Sequence, residues 1–356
     1  MNNLIQELQT VIQFLGVNRS MVSIYESGSY DNSRPLLTMF ARQLEAAGIP
    51  NYVSTSVESI NWDKEFRIEA LAQVRNKALK PLYMDVESVS VNRTIAKFQK
   101  LIFLNDVFFC AADVLELVLQ QSNSGATMAC PLDLEAYPTW QSFYDLWVAR
   151  TMSGDILYNA FHDYKDGAAN TSLSKQERWT LRSKYWDRKG GLDLFWKDPI
   201  GKLRASKGLP VQVYSCWNGG IAMDTRPFYD YNLKFRTAYP KECKESECTL
   251  FSKDLWNSGY GKIVIVPNII VSYEREKFLY FRTKWESLIS PSEIVKPMYS
   301  DLLSVNTSLV VSNEIDWQPI PSLVRCFELP SRGARYINWI DMQMIDPSVD
   351  YRDFYE

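Results

Sequence analysis

The sequence predicts an α/β fold in which a mostly parallel β-sheet is flanked by helices. Short apolar segments with strand character alternate with amphipathic segments of helical length, and this alternation is typical of parallel sheets with helices on both faces. The chain has 356 residues, 46% of them hydrophobic, which is enough for one large domain or two smaller ones. Acidic residues follow several predicted strands, and ligands bind beyond the carboxyl ends of strands in such sheets.

The first half of the chain contains the clearest elements. Apolar residues recur with helical spacing in residues 4–15. Pro35 and Gly48 are suited to the first turn and the end of the next helix. The predicted helices cover residues 4–15, 35–48, 65–79 and 112–121. The predicted strands cover residues 21–25, 51–56 and 101–104, and residues 126–134 are predicted as a strand and turn.

The second half of the chain is less regular. Residues 151–210 are rich in charge, tryptophan and glycine and only weakly periodic, which predicts a loop-rich insertion with short helices. Residues 211–223 predict a strand, a tight glycine turn and a second strand, and another strand region follows near residue 265. We expect one domain over residues 1–275 and a C-terminal extension, residues 276–356, packed on it.

Composition excludes several functions. Lys and Arg number 39 against 42 Asp and Glu, for a net charge of -3, so no nucleic-acid partner is expected. The apolar runs are too short to span a bilayer, and the N-terminus lacks the cationic flank of a signal peptide. The sequence has no CxxC pair, so a structural zinc site is not expected. Cys243 and Cys248 are close enough in sequence for a small disulfide loop. The single histidine, His162, is better interpreted as a surface or loop residue than as a catalytic base.

Three groups of polar residues are candidates for ligand binding. Small and acidic residues follow the first predicted strand, where the backbone can approach a ligand closely. An arginine on the helix at 65–79 offers a planar donor fork suited to a diphosphate. An acidic residue ends the strand at 101–104. Each group has a structural alternative: a polar turn, an exposed helix arginine or a polar strand cap. The candidates are Glu26, Ser27, Gly28 and Asp31, then Arg75 and Asn76, and then Asn105 and Asp106.

In this order, the three groups resemble a GT-A nucleotide-sugar glycosyltransferase, which has a Rossmann-like domain. Longer stretches are similar to the cryptococcal mannosyltransferase and capsule-associated protein family of fungi, glycosyltransferase family 69. They are FLNDVFFCAADVLELV, FYDLWVARTMSGD, SCWNGGIAM and SECTLFSKDLW. The resemblance runs from about residue 20 to residue 275. It implies a GDP-mannose donor, a mannose-containing glycan acceptor and an α-1,3 product formed with retention of anomeric configuration.

The resemblance also assigns roles to residues. It makes the three polar groups the donor site, with Asp106 as the contact to metal and diphosphate, and it places Glu247 against the acceptor. Asp133, Asp145 and Glu247 are the candidates for the catalytic carboxylate of a retaining reaction, and the sequence does not choose among them. The acceptor-binding candidates are Trp217, Asn218, Gly219, Gly220 and Arg150, although a core position is at least as good an interpretation of the tryptophan.

Two departures from the GT-A pattern concern the metal. Val107 follows Asp106, so the usual second acidic position is missing, and Ser272 or Tyr273 stands where many GT-A enzymes have a metal-binding histidine. We still expect Mn²⁺, or Mg²⁺, because a hard cation neutralises a leaving diphosphate.

Two other functions remain open from the sequence. One is a GT-A transferase that uses UDP-xylose or UDP-galactose. The other is a catalytically silent scaffold of a glycan-building complex. Members of the resembling family are usually anchored in the Golgi lumen, so we expect that location if an N-terminal anchor is missing here, and a soluble protein otherwise.

Overall fold

The structure is a computed structural model that describes residues 2–56, 66–83, 97–137, 140–157, 194–195, 197–287, 312–328 and 342–354. The α-helices are α1 Asn2–Leu15, α2 Ser33–Ala46, α3 Arg67–Ala78, α4 Ala111–Asn123, α5 Pro199–Ser206, α6 Arg226–Tyr231, α7 Glu247–Asn257 and α8 Arg275–Ser287. The strands are β1 Val22–Glu26, β2 Asn51–Thr55, β3 Lys100–Leu104, β4 Met128–Tyr137, β5 Trp140–Phe143, β6 Arg150–Thr151, β7 Val211–Ser215, β8 Gly220–Asp224, β9 Ile263–Val271, β10 Val324–Arg325 and β11 Met344–Ile345.

The first unit of the chain is the β1–α2–β2 crossover that the sequence predicts. β1 and β2 pair in parallel, from Val22 opposite Asn51 to Glu26 opposite Thr55. The apolar side of α2 buries Phe40 and Leu44 against this pair, and α1 covers the same cluster. The polar loop after β1 therefore lies at the carboxyl end of a parallel strand pair, as predicted.

The central sheet has seven strands in the order β3-β8-β4-β9-β7-β6, with β5 paired to β4. β4 and β9 run parallel. The pairs β3–β8, β4–β8, β4–β5, β7–β9 and β6–β7 are antiparallel. The prediction of a mostly parallel sheet is therefore wrong, and the sheet is mixed.

A tight turn causes much of the difference. The amide of Gly220 donates to the carbonyl of Trp217 at 3.0 Å, and the turn residues Asn218 and Gly219 have φ of 52° and 77°. The chain leaves β7 through this turn and returns as β8, which lies antiparallel between β3 and β4. The predicted strand–turn–strand is confirmed, but its two strands pair with other strands and not with each other.

Two disulfides cross-link distant parts of the fold. Cys130 in β4 is bonded to Cys216 at the end of β7, and Cys243 is bonded to Cys326 in the C-terminal part of the chain. The small Cys243–Cys248 loop that the spacing would allow therefore does not form. Cys248 lies in the first turn of α7 and remains a buried free thiol whose sulfur lies 3.6 Å from Glu247 Oε1.

Parts of the C-terminal extension lie against the main domain. The amide of Arg325 donates to the carbonyl of Gly154 at 2.8 Å, and Phe327 is fully buried. The domain boundaries themselves stay a prediction. Residues 158–193, which include His162 and most of the predicted insertion, lie outside the described residues. None of the described helices combines the length and apolar character needed to cross a bilayer.

Candidate active site

A buried guanidinium organises the polar cluster below the carboxyl end of β3. Arg75, on α3, donates from Nε to Glu247 Oε1 at 2.9 Å and from an Nη atom to Asn105 Oδ1 at 3.0 Å. Its guanidinium carbon lies 4.6 Å from the ring centre of Trp217. Burial disfavours the charge on Arg75, but the acidic groups of Cys248 and Glu247 outweigh burial and raise its pKa. Arg75 is therefore a permanent cation that joins α3, β3 and α7.

Asn105, directly after β3, forms hydrogen bonds through both the oxygen and the nitrogen of its side-chain amide. Its Oδ1 also accepts from the indole N–H of Trp217 at 3.2 Å, and its Nδ2 donates to the Tyr273 hydroxyl at 2.9 Å. Its backbone amide donates to the carbonyl of Gly219 at 2.9 Å. Arg75 and the tryptophan indole are donors only, so they fix which way the amide faces. Asn105 is thereby held rigid.

Asp106, the next residue, has the opposite character. It is exposed, whereas the following residue, Val107, is buried. No hydrogen bond or ion pair reaches its carboxylate from the described part of the chain. A strand cap would use its carboxylate on nearby backbone N–H groups, and Asp106 does not. The residue is a free carboxylate presented on a rigid support, which is the property a ligand contact requires.

Glu247 is engaged inside the protein. The residue is 1% exposed. Its Oε1 accepts a hydrogen bond from Arg75, and its Oε2 accepts one from the Ser246 hydroxyl at 3.2 Å. The Cys248 thiol lies 3.6 Å from Oε1. Because the residue is buried and both of its carboxylate oxygens accept hydrogen bonds, Glu247 is the ion-pair partner of Arg75 in this structure and has no exposed surface that an acceptor sugar could contact.

Two further carboxylates form an acidic pair beside this cluster. Asp133, on β4, is completely buried and neither of its oxygens has a hydrogen-bond partner among the described residues. Asp145 is partly exposed and accepts from the amide of Asn218 at 3.0 Å. Burial and the neighbouring Asp145 raise the pKa of Asp133 well above its usual value. Burial raises the pKa of Asp145 to about 6. Asp133 therefore keeps a proton where Asp145 is ionised.

The predicted acceptor-binding turn is buried. Trp217 is 1% exposed, with its ring edge-on to Phe103 and Phe235 at 5.1 Å, so it has no free face for a sugar and the core interpretation is correct. A Cβ on Gly219 would lie 2.7 Å from Val107 Cγ1, and one on Gly220 would lie 2.9 Å from Leu104 Cδ2. These glycines let the turn pack against the end of β3.

Asn218 and Arg150 are also internal. Asn218 is fully buried and donates from Nδ2 to the Pro131 carbonyl at 2.7 Å. Arg150 is fully buried, pairs with Glu245 at 3.4 Å, and donates from Nε to the Arg325 carbonyl at 3.1 Å. The donors of Arg150 are therefore engaged inside the protein, one of them with the C-terminal segment, and its predicted contact with the acceptor stays a prediction that this structure does not favour.

The loop after β1 is held largely by its own residues. Glu26 is buried, accepts from the amide of Ser29 and lies 3.7 Å from Arg34. Asp31 accepts from the amide of Ser33 at 2.9 Å, and the hydrogen bonds from Ser33 lower its pKa. Ser27 is partly buried and Gly28 has a φ of 87°, which suits glycine. One oxygen of Glu26 has no hydrogen-bond partner among the described residues, and the donor contact stays a prediction.

Asn76 holds the backbone of another segment. Its Nδ2 donates to the Phe235 carbonyl at 2.8 Å, and its Oδ1 accepts from the Phe235 amide at 2.9 Å. This reciprocal pair fixes the residue whose ring packs against Trp217 and under the guanidinium of Arg75, at 5.5 Å. The side chain therefore supports the cluster from behind, and its predicted contact with the donor also stays a prediction.

Sequence reasoning missed two tyrosines. Tyr273 bonds Asn105, and its ring lies against Tyr144 with centroids 4.6 Å apart. Tyr144 precedes Asp145 in the chain and is 49% exposed. The sequence indicated Tyr273 only as one of two residues where many GT-A enzymes have a metal-binding histidine. Tyr144 could have been identified from the sequence, because it directly precedes the candidate carboxylate Asp145.

The comparisons with known proteins place the chain in a class and a family. Residues 1–254 match the family model described as Cryptococcal mannosyltransferase 1. Over a 359-residue alignment, the chain is 30% identical to the Alpha-1,3-mannosyltransferase CMT1 of Cryptococcus neoformans var. neoformans serotype D, covering 97% of this chain and 69% of that protein. The protein is therefore an enzyme of the glycosyltransferase class. Within that class, it belongs to the Cryptococcal mannosyltransferase 1 family, which confirms the resemblance seen in the motifs.

Solved structures show a more distant likeness. The crystal structure of S. aureus TarS 1-349 superposes with a TM-score of 0.37 and 11% sequence identity, covering 84% of this chain and 66% of that one, just under two thirds. Its complex with UDP gives the same values. A likeness of this size carries no argument about the site.

Proposed function

We propose that the protein transfers mannose from GDP-mannose to a mannose-containing glycan, forming an α-1,3 linkage with retention of anomeric configuration, on a GT-A type domain. Support comes from the family and from the relative named as an α-1,3-mannosyltransferase, which aligns with 97% of the chain. The observation that carries the proposal is the free carboxylate of Asp106 on the rigid Asn105 support.

The donor diphosphate is proposed to bind at Asp106 through a divalent cation, Mn²⁺ or Mg²⁺. An exposed carboxylate without a partner fits such an ion, because magnesium-like cations commonly use one or two carboxylates and complete their shell with substrate phosphates and water. Among the described residues, the grouped potential ligands are Cys243, Cys326 and Glu328, and the two cysteines are joined in a disulfide. Asp106 is therefore the better candidate. When bound, the cation would neutralise the charge that develops on the leaving diphosphate.

Arg75 is proposed to act through Asn105 and not by direct contact with the donor. Its guanidinium is largely buried, and it donates hydrogen bonds to Glu247 and Asn105. A fixed positive charge that is hydrogen-bonded to Asn105, the residue before Asp106, adds to the electrostatic field at the strand end without any reorganisation during the reaction. Glu247 holds that charge in place.

Asp145 is proposed as the carboxylate that faces the anomeric carbon. Retention needs either a carboxylate nucleophile or attack from the face that the leaving group departs from. Asp133 is completely buried and cannot touch a substrate, whereas Asp145 is partly exposed and ionised above a pH of about 6. An ionised carboxylate can bond to the sugar or stabilise its positive charge. Asp133 keeps its proton and so leaves Asp145 as the one anion of the pair.

The lumen of the Golgi is the proposed location. The family resemblance suggests it, and the disulfides Cys130–Cys216 and Cys243–Cys326 are typical of proteins that fold in an oxidising compartment.

The test is a donor panel with the purified protein. GDP-mannose, UDP-xylose and UDP-galactose are each supplied with a mannose oligosaccharide, in Mn²⁺, in Mg²⁺ and in EDTA, and the linkage and anomer of the product are read by NMR. We expect transfer from GDP-mannose only, and loss of transfer in EDTA. Faster transfer from either UDP-sugar would refute the donor. Absence of both transfer and hydrolysis with every donor would favour the scaffold alternative, and full activity in EDTA would refute the cation.

A further inference from the structure

A tyrosine pair lies beside the candidate site, where Tyr273 accepts a hydrogen bond from Asn105. The ring of Tyr144 is packed on one side against Tyr273, with centroids 4.6 Å apart and planes inclined at 41°. The residue is nevertheless 49% exposed. The backbone of Tyr144 is held in place, because its amide donates to the Asp133 carbonyl at 3.1 Å and its carbonyl accepts from the Leu146 amide at 2.9 Å. The structure therefore presents a half-open aromatic ring on a fixed backbone.

The surroundings of this ring connect it to both halves of the site. On the acidic side, the Tyr144 amide bonds the Asp133 carbonyl and the next residue in the chain is Asp145, so Tyr144 lies beside the acidic pair. On the other side, the hydroxyl of Tyr273 accepts from Asn105, the residue that precedes Asp106. The ring pair thus lies between the proposed anion that faces the anomeric carbon and the proposed donor carboxylate.

We propose that Tyr144 is a stacking platform for a pyranose ring at the reaction centre, with Tyr273 as its support. One face of a pyranose carries several C–H groups, and these pack favourably on the electron-rich face of an aromatic ring. Binding sites for small molecules combine such an apolar wall with a few convergent polar groups, which Asp145 and Asp106 supply here. The fully buried Trp217 cannot take this role. The inference rests on the proposed function for the identity of the sugar, which is mannose of the donor or of the acceptor.

The test compares three substitutions of Tyr144 with one matched control. Tyr144→Ala removes the ring, Tyr144→Leu keeps apolar bulk without an aromatic face, and Tyr144→Phe removes only the hydroxyl. The control is Tyr231→Ala, because Tyr231 is 56% exposed and also packs against a tyrosine, Tyr260, with ring centroids 6.0 Å apart. KM is measured separately for donor and acceptor, and the binding of methyl α-mannoside is followed by NMR titration.

The expected result is a rise in KM of about tenfold in the Ala and Leu variants, with Tyr144→Phe and the control close to the wild type. A rise in the KM of the acceptor assigns the platform to the acceptor ring, and a rise in that of the donor assigns it to the transferred ring. Weaker methyl α-mannoside binding in Tyr144→Leu supports the platform even if no sugar nucleotide proves to be a donor. Unchanged KM values and mannoside binding in Tyr144→Leu, or a Tyr144→Phe variant as impaired as Tyr144→Ala, overturn the inference.

Discussion

Replacing Glu247 with glutamine distinguishes a structural role from a chemical one. Glu247→Gln keeps the shape of the side chain but removes the charge that neutralises Arg75 in the buried cluster. If Glu247 positions Arg75, the main loss should be in stability, because a guanidinium is then left buried without its counter-ion. If Glu247 instead acted on an acceptor hydroxyl, the loss should be in turnover alone, by about 10²-fold or more.

The magnitude follows from the geometry of the pair. The Arg75 Nε and Glu247 Oε1 atoms lie 2.9 Å apart, and at an effective dielectric constant of about 20 Coulomb's law gives about 6 kcal/mol for two unit charges at that distance. Removing one partner of a buried pair typically costs about 3–5 kcal/mol. Because glutamine still offers an oxygen to the Nε–H of Arg75, we expect the lower end of this range, a loss of about 3 kcal/mol in the free energy of unfolding.

The assay is urea unfolding of four proteins in a double-mutant cycle: the wild type, Glu247→Gln, Arg75→Met and the double variant. In the Arg75→Met background the guanidinium is absent, so Glu247→Gln should cost less than about 1 kcal/mol. Transfer is measured on the same samples. A Glu247→Gln protein with wild-type stability and turnover reduced by about 10²-fold would refute the positioning role and restore Glu247 as a catalytic group.

Further predictions concern the free carboxylates and a disulfide. Asp106→Ala should lower transfer by about 10²-fold or more. Its free energy of unfolding should stay within about 0.5 kcal/mol of that of the exposed control Glu276→Ala. A large loss of stability would show Asp106 to be a structural cap. Burial raises the pKa of Asp145 to about 6, so kcat/KM should fall about tenfold per pH unit as the pH drops below about 6. The stability that protonation of Asp145 provides should be lost as the pH rises from about 4 to about 6. A pH-independent kcat/KM from about pH 5 to about pH 7 would contradict the catalytic role. Joint replacement of Cys130 and Cys216 by serine should lower the free energy of unfolding by roughly 4–5 kcal/mol, because the bond spans 86 residues; an unchanged urea midpoint would contradict the contribution of this bond.

The sequence by itself determined the local elements and the family. The apolar period of residues 4–15 predicted α1, and the glycine turn before residue 220 was recognised from its residue types. These features are local, since helical spacing and turn chemistry depend on neighbouring residues. The family motifs likewise identified the glycosyltransferase class and the strand end at Asn105 and Asp106, because motifs are read directly from residue order.

The tertiary structure alone decided how these pieces meet. β8 lies between β3 and β4, which makes the sheet mixed, and strand order depends on the path of the whole chain and not on any one segment. Burial was also undecided by the sequence: Trp217 could be a sugar-binding or a core residue and Arg150 was an acceptor-binding candidate, and the structure places both in the interior. Arg75 and Glu247 are 172 positions apart. Their pairing makes Glu247, a predicted acceptor-facing carboxylate, the counter-ion of a buried guanidinium, because buried charges require a partner of opposite sign.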